Sequence, residues 1–191
     1  FAHAQAVDYN FTGASGGLWT DQANWTPKGE PGFGDRVSIV GKTVTLDLST
    51  SVDSLYLNSS TLKGSGVLTT PSTVSDGVSE ISLELQNIGI VETWSGWLTL
   101  SHGIEKGGNY QAAAGTEIEF AASFTLSGAL AGSGMMSFTS GTSTVTGPYS
   151  ADTTYVLKTL NINELDTANL LVNGGTVSLG NGSANYADMN G

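Results

Sequence analysis

Short runs of alternating apolar and polar residues fill the chain from about residue 36 onward. Val44, Leu46 and Leu48 alternate with Thr45 and Asp47, Leu55 and Leu57 flank Tyr56, and Ile81, Leu83 and Leu85 flank Ser82 and Glu84. The same holds for Ile118 and Phe120 around Glu119, Phe124 and Leu126 around Thr125, Leu160 and Ile162 around Asn161, and Val177 and Leu179 around Ser178. A period of two marks a strand with one buried face and one wet face. Gly, Asn, Ser or Pro separates nearly every pair of runs, at the spacing of about 8 to 12 residues expected of short strands joined by turns. No long helix is predicted: the best candidate, Asn109 to Ala114, is ended at once by Gly115.

One stretch returns. Leu62-Lys63-Gly64-Ser65-Gly66-Val67-Leu68-Thr69 is echoed further along by Leu130-Ala131-Gly132-Ser133-Gly134-Met135-Met136-Ser137-Phe138. Each copy is a branched apolar residue, a Gly-Ser-Gly corner and a new apolar run. Glycine allows the backbone to turn where a Cβ would clash, which predicts Gly64, Gly66, Gly132 and Gly134 at corners. A stacked coil of roughly 20 to 25 residues would place about three coils between the copies. The fold predicted is therefore all-β, a parallel β-helix or solenoid. An antiparallel β-sandwich or jelly roll would give similar strand spacing and is the alternative. Against it, Asn173-Gly174-Gly175 is the only strong hairpin signal.

The amino-terminal region reads differently. Tyr9-Asn10-Phe11-Thr12 followed by Gly13 to Gly17 predicts a short strand on a flexible connector, so residues 1–17 are taken as an extension and 18–191 as a single solenoid domain. Trp19 and Trp25, six apart before a Pro/Gly-rich loop, predict a hydrophobic cap over the first coil, because an open solenoid end exposes apolar side chains and unpaired backbone groups. If the segment from Val7 to Thr12 is free, Val7, Tyr9 and Phe11 would pair with the edge of another copy, giving head-to-tail self-association.

The run Trp19, Asn24-Trp25, Pro31, Gly34-Asp35, Val37, Ile39, Val44-Thr45-Leu46-Asp47, Val52 and Leu55-Tyr56-Leu57 resembles the opening of repeat-rich bacterial secreted proteins of the autotransporter and adhesin type. The resemblance covers residues 19 to 70 well. Later segments, Thr93-Trp94-Ser95-Gly96, Thr146-Gly147-Pro148-Tyr149-Ser150 and Asn173-Gly174-Gly175-Thr176-Val177, match more loosely, and Trp97 stands where those repeats commonly carry a second glycine. What the resemblance implies is a right-handed parallel β-helix on an exported, surface or matrix protein. It implies no particular ligand, because such arrays serve adhesins, filaments and carriers of other domains alike.

Charge narrows the partners. Seventeen acidic residues against six basic ones give a net charge of -11, and Arg36 is the one arginine. Nucleic acid is excluded as a partner, since phosphate binding rests on clustered Lys and Arg. No apolar run approaches the roughly 20 residues of a membrane span, so membrane insertion by a helix is not expected. With no cysteine, neither disulfides nor thiolate metal sites hold the fold, and packing and ladder hydrogen bonds must. Ala-His-Ala and Ala-Gln-Ala at residues 2–6 match the small-x-small pattern of export cleavage sites, which favours a secreted or cell-surface location.

Candidate chemistry is sparse. Glu117 and Glu119 lie two apart on one strand face, about 7 Å, between the separations of retaining and inverting glycosidases, but a solvated face is the stronger reading. Arg36, the type of base used by polysaccharide lyases, is expected to pair with Asp35 or a neighbouring coil instead. His102 with Glu105 and Lys106 forms a polar turn, and Asn161, Asn163, Glu164 and Asp166 lack the glycine of a calcium loop. No catalytic residue, metal or cofactor is expected. Trp94-Ser95-Gly96-Trp97 is the most interesting pair: in an extended run, positions three apart face opposite sides, which would bury one indole and expose the other for stacking on a sugar ring. The expected function is a non-catalytic extracellular structural or adhesive module whose partners are other copies or other surface proteins. Glycan binding is the second reading and a polysaccharide-active enzyme the least favoured.

Overall fold

A computed structural model describes residues 5–103 and 107–180, and the backbone of 184–190. The chain is a β-solenoid of about eight coils, each built from three strands that stack in parallel on their counterparts in the coils before and after. Among the described residues the only antiparallel pairing is that of Asp8–Phe11 with Trp25–Thr26, which rules out a sandwich or jelly roll.

The first face is the longest ladder. Val37, Leu55, Thr73, Val91, Tyr110, Leu130 and Tyr149 follow one another across it. Their spacing makes most coils shorter than the roughly 20 to 25 residues expected. The second face stacks Val44, Leu62, Ile81, Leu100, Phe120, Phe138, Val156 and Val172. The third carries Leu68 on Leu85 in the early coils and Leu126, Val145, Ile162 and Leu179 in the later ones. The inward members of these ladders, alternating with polar outward ones, form one continuous core. One stretch of it is aromatic: Phe120 stacks on Phe138 at 5.2 Å and meets Tyr110 and Phe124 edge-on. The best helix candidate, 109–114, is a strand over Asn109–Ala112, because Tyr110 and Ala112 fill inward positions.

The two Gly-Ser-Gly copies do turn corners, but not the same one. Gly64 to Gly66 link the second face to the third, whereas Gly132 to Gly134 link the first to the second. The repeat therefore marks a kind of turn, not a phase of the coil. Asn173-Gly174-Gly175 is likewise a corner, between Leu165–Val172 and Thr176–Leu179, and not a hairpin.

The amino-terminal end is closed by an aromatic cluster. Trp19 and Trp25 are each 1% exposed, with ring centroids 4.9 Å apart, and Phe11 packs on Trp25 at 5.1 Å. Both indole N–H groups are satisfied: Trp19 Nε1 donates to the Pro31 carbonyl at 3.1 Å and Trp25 Nε1 to the Trp19 carbonyl at 2.7 Å. The expected free strand from Val7 to Thr12 is corrected here. Tyr9 pairs with Val37 on one side and Phe11 with Trp25 on the other, so both edges are occupied inside the molecule. The connector is tied down as well. The Gly16 amide donates to the Thr43 carbonyl at 2.7 Å, Gly17 pairs with Val44, and the Asn24 side chain fills the space beside Gly13 and Gly17. Residues 8–18 are thus part of the first coil, because Phe11 belongs to the aromatic cap.

Candidate functional site

Three corners of successive coils build an open concavity. The first face ends at Thr93, the chain bends through Ser95 and Gly96, and the second face begins at Trp97. One coil later Ala113 to Thr116 make the same passage, and after that Gly132 to Gly134. Glycine at these corners keeps the backbone close to the coil beneath and leaves no side chain to fill the surface. A Cβ on Gly134 would run into the Ala113 and Thr116 carbonyls. The result is an open groove of about 480 Å³, lined by Trp97, Glu117, Met135, Asp152, Thr153 and the corner residues around them.

The outward row of the second face supplies the groove's side chains. Trp97 stands beside Val78 on one side and Glu117 on the other, Glu117 beside Met135, and Met135 beside Thr153. Trp97 is 47% exposed and Val78 equally so. The Glu117 carboxylate has no hydrogen-bond or ion-pair partner among the described residues. The Asp152 carboxylate accepts one hydrogen bond, from the Thr153 hydroxyl at 3.2 Å. Beneath them Thr116 is held rigidly: its hydroxyl shares a hydrogen bond with Thr93 at 2.6 Å and donates to the Ala113 carbonyl at 2.8 Å. An indole, a thioether, two carboxylates and a hydroxyl thus line one concavity on a fixed backbone.

Both tryptophans of the Trp94-Trp97 pair are exposed, at 60% and 47%, against the expectation that one would be buried. The reason is the bend: Gly96 has φ +63°, so the run is not extended and the alternation of faces stops at Thr93. The Ser95 hydroxyl fixes this bend, donating to Asp76 Oδ1 at 2.5 Å and accepting from the Gly77 amide at 2.8 Å. Trp97 lines the groove and Trp94 does not.

Glu119 points outward like Glu117 but is committed: Thr99 and Thr139 donate to its two oxygens at 2.8 and 2.7 Å. The two carboxylates are therefore placed in unlike surroundings, one bonded on both oxygens and one free. Arg36 pairs with Asp8 of the preceding strand, in register on the first face, and its guanidinium draws the Asp8 carboxyl below the usual carboxylate range. His102 is exposed and contacts the adjacent Gly103 carbonyl, while Glu105 and Lys106 lie outside the described residues. Asn161 lies on the third face and Asp166 on the first, so the proposed calcium oxygens are not drawn together. No group of three His, Cys, Asp or Glu that could hold a metal occurs among the described residues.

Asp152, Met135 and Thr153 escaped the sequence reading, because they lie far from Trp97 along the chain. The coil period is the signal that finds them: one coil on from Trp97 stands Glu117, the next coil brings Met135 and the one after that Thr153. A second, smaller cleft of about 290 Å³ was also missed. It lies where the third face passes to the first, and Phe33, 88% exposed in its Pro/Gly loop, flanks it with Pro71 and Ile88. No known protein family, curated protein or solved structure matches the chain.

Proposed function

We propose that the chain is a non-catalytic adhesive module of a secreted or cell-surface protein, a regular scaffold that presents side chains from consecutive coils to an external ligand. The observation that carries this reading is the Trp97 groove, where a half-exposed indole and a free carboxylate are held in register on neighbouring strands. An indole costs free energy when left in water, and on a stack with ample Ser, Thr and Asn it stands out as a contact residue. The likeness of residues 19 to 70 to the repeats of autotransporter and adhesin proteins supports the same reading and a surface location.

The groove supports binding better than turnover. Of the two neighbouring glutamates, Glu119 is taken up by two hydroxyl donors. That speaks against Glu117 and Glu119 as an acid/base pair, which would need both carboxyl groups facing one substrate bond. Self-association by way of Val7, Tyr9 and Phe11 forms no part of the proposal, since that strand is paired within the molecule on both sides.

The test has two arms. Labelled protein should adhere saturably to intact cells or extracellular matrix preparations, and it should release neither reducing ends nor unsaturated products from polysaccharides. Absence of adherence to every surface would remove the adhesive reading. Product release that is lost in Glu117→Gln would replace it with an enzyme.

A further inference from the structure

We infer that the Trp97 groove is a subsite for a short run of a neutral polysaccharide, lying along the coil axis with one sugar ring stacked on the indole. This rests on the adhesive reading above and names its ligand class. Four side chains carry it: Trp97, Glu117, Met135 and Thr153, which follow one another across four coils on the outward row of the second face.

The row has the length of a short saccharide. Adjacent strands stack about 4.8 Å apart, so the row from Trp97 to Thr153 extends about 14 Å. That is the length of two to three linked sugar rings, to order of magnitude, and the groove is open along its side, as a polymer without a free end in the site requires. The coil repeat thus offers contacts at a regular pitch to a ligand that also repeats.

The side chains also match a sugar in chemistry. A pyranose ring has a face of C–H groups that packs on an indole or a thioether, and a rim of hydroxyls that need acceptors. Trp97 and Met135 provide the apolar surface. The Glu117 carboxylate, with no partner among the described residues, and that of Asp152, with one, provide acceptors, and Thr153 adds a hydroxyl of either sense. Charge-assisted hydrogen bonds from sugar hydroxyls to a carboxylate are among the stronger polar contacts. The same two carboxylates repel uronates and sulfated sugars, in a chain whose net charge is -11. Neutral glycans are accordingly selected over acidic ones.

The experiment is binding of the intact chain to immobilised cellotriose, chitotriose, mannotriose and, as the acidic counterpart, trigalacturonate. At least one neutral trisaccharide should bind, trigalacturonate at least tenfold more weakly. Trp97→Ala and Glu117→Gln should each weaken the neutral ligand at least tenfold, and Trp94→Ala, outside the groove, should leave it unchanged. All three side chains point outward, and unchanged thermal unfolding would show that the fold is kept. Failure of every neutral trisaccharide, or equal binding by Trp97→Ala, overturns the inference. An arginine-rich peptide is the control for a cation site: binding of that peptide alone, lost in Trp97→Ala, also overturns the saccharide subsite but leaves the adhesive reading intact. Adherence to cells that survives in Trp97→Ala separates the two in the same way.

Discussion

Gly64 and Gly132 share a backbone conformation, φ +136° and +131°, but turn different corners of the coil. In each, a Cβ would drive into the backbone of the coil beneath, at Leu46 for the first and Ala112 for the second. The shared requirement is close approach at a sharp turn in a region that side chains rarely enter. Gly132→Ala therefore combines strain with overlap and should lower stability by about 3 kcal/mol or more. Gly174, at φ +72° with open space around it, carries strain alone, and Gly174→Ala should cost about 1–2 kcal/mol. Urea midpoints of the two variants check the order, and equal losses would show that the contact with the preceding coil contributes nothing.

The distance between the Gly-Ser-Gly copies shows how much of this fold was legible. Alternating runs and recurring corners were enough for a solenoid, because the period of two and the need for glycine at a sharp turn are local properties. The coil length was not, since a general coil of roughly 20 to 25 residues was laid between two copies that sit at different corners. Val37, Leu55, Thr73 and Val91 recur at an even interval, but Thr73 breaks the apolar pattern and hides the repeat. The groove was half legible: the indoles stood out as residues, while their neighbours follow only from the register. The strand at Tyr9 and Phe11 looked free for a similar reason. Its partner Val37 lies beyond a long loop, and nothing local announces the pairing.

The aromatic cap makes a prediction about where the molecule comes apart. Trp25 touches Phe11, Trp19 and Tyr9 and is almost wholly buried. Trp25→Ala should cost about 3–5 kcal/mol. In a stack where each coil touches only its neighbours, the loss is felt first at the nearest ones. Hydrogen exchange of the variant should accelerate in residues 8–46 before it does so in residues 142–162. Uniform acceleration would mean that the whole stack unfolds as one unit.

Asp76 predicts the acid behaviour of the corner that carries Ser95. Its carboxylate accepts from Ser95 first, then from Tyr56 and Asn58, and these donors hold its pKa below the ordinary carboxylate value. A carboxyl whose folded pKa is depressed contributes stability above its unfolded pKa and loses it as pH falls through the folded value. The contribution is thus present at neutral pH and declines below about pH 4. Asp76→Asn should be less stable than the parent at pH 7, and the difference should shrink toward pH 2. Urea unfolding of both proteins at several pH values measures this, and a constant difference would assign the effect to packing instead of charge.

Ser75 is a residue whose replacement should bring a gain in stability. It occupies an inward position on the first face, between Leu57 of one coil and Thr93 of the next, and is completely buried. Its hydroxyl has no hydrogen-bond partner among the described residues. Burying an unsatisfied hydroxyl costs about 1–3 kcal/mol, and removing it restores part of that with little change in volume. The strand backbone is held by its ladder on both sides, so the side chain is not needed to place it. Ser75→Ala should therefore raise stability by about 1 kcal/mol, seen as a higher urea midpoint with an unchanged slope. Thr73, one inward position earlier, is equally buried and unpaired, and Thr73→Val, which replaces its hydroxyl by a methyl of similar size, should act in the same direction. A loss of stability in both variants would mean that the hydroxyls bond to something in solution, such as an enclosed water, and that this part of the core is wetter than its apolar neighbours.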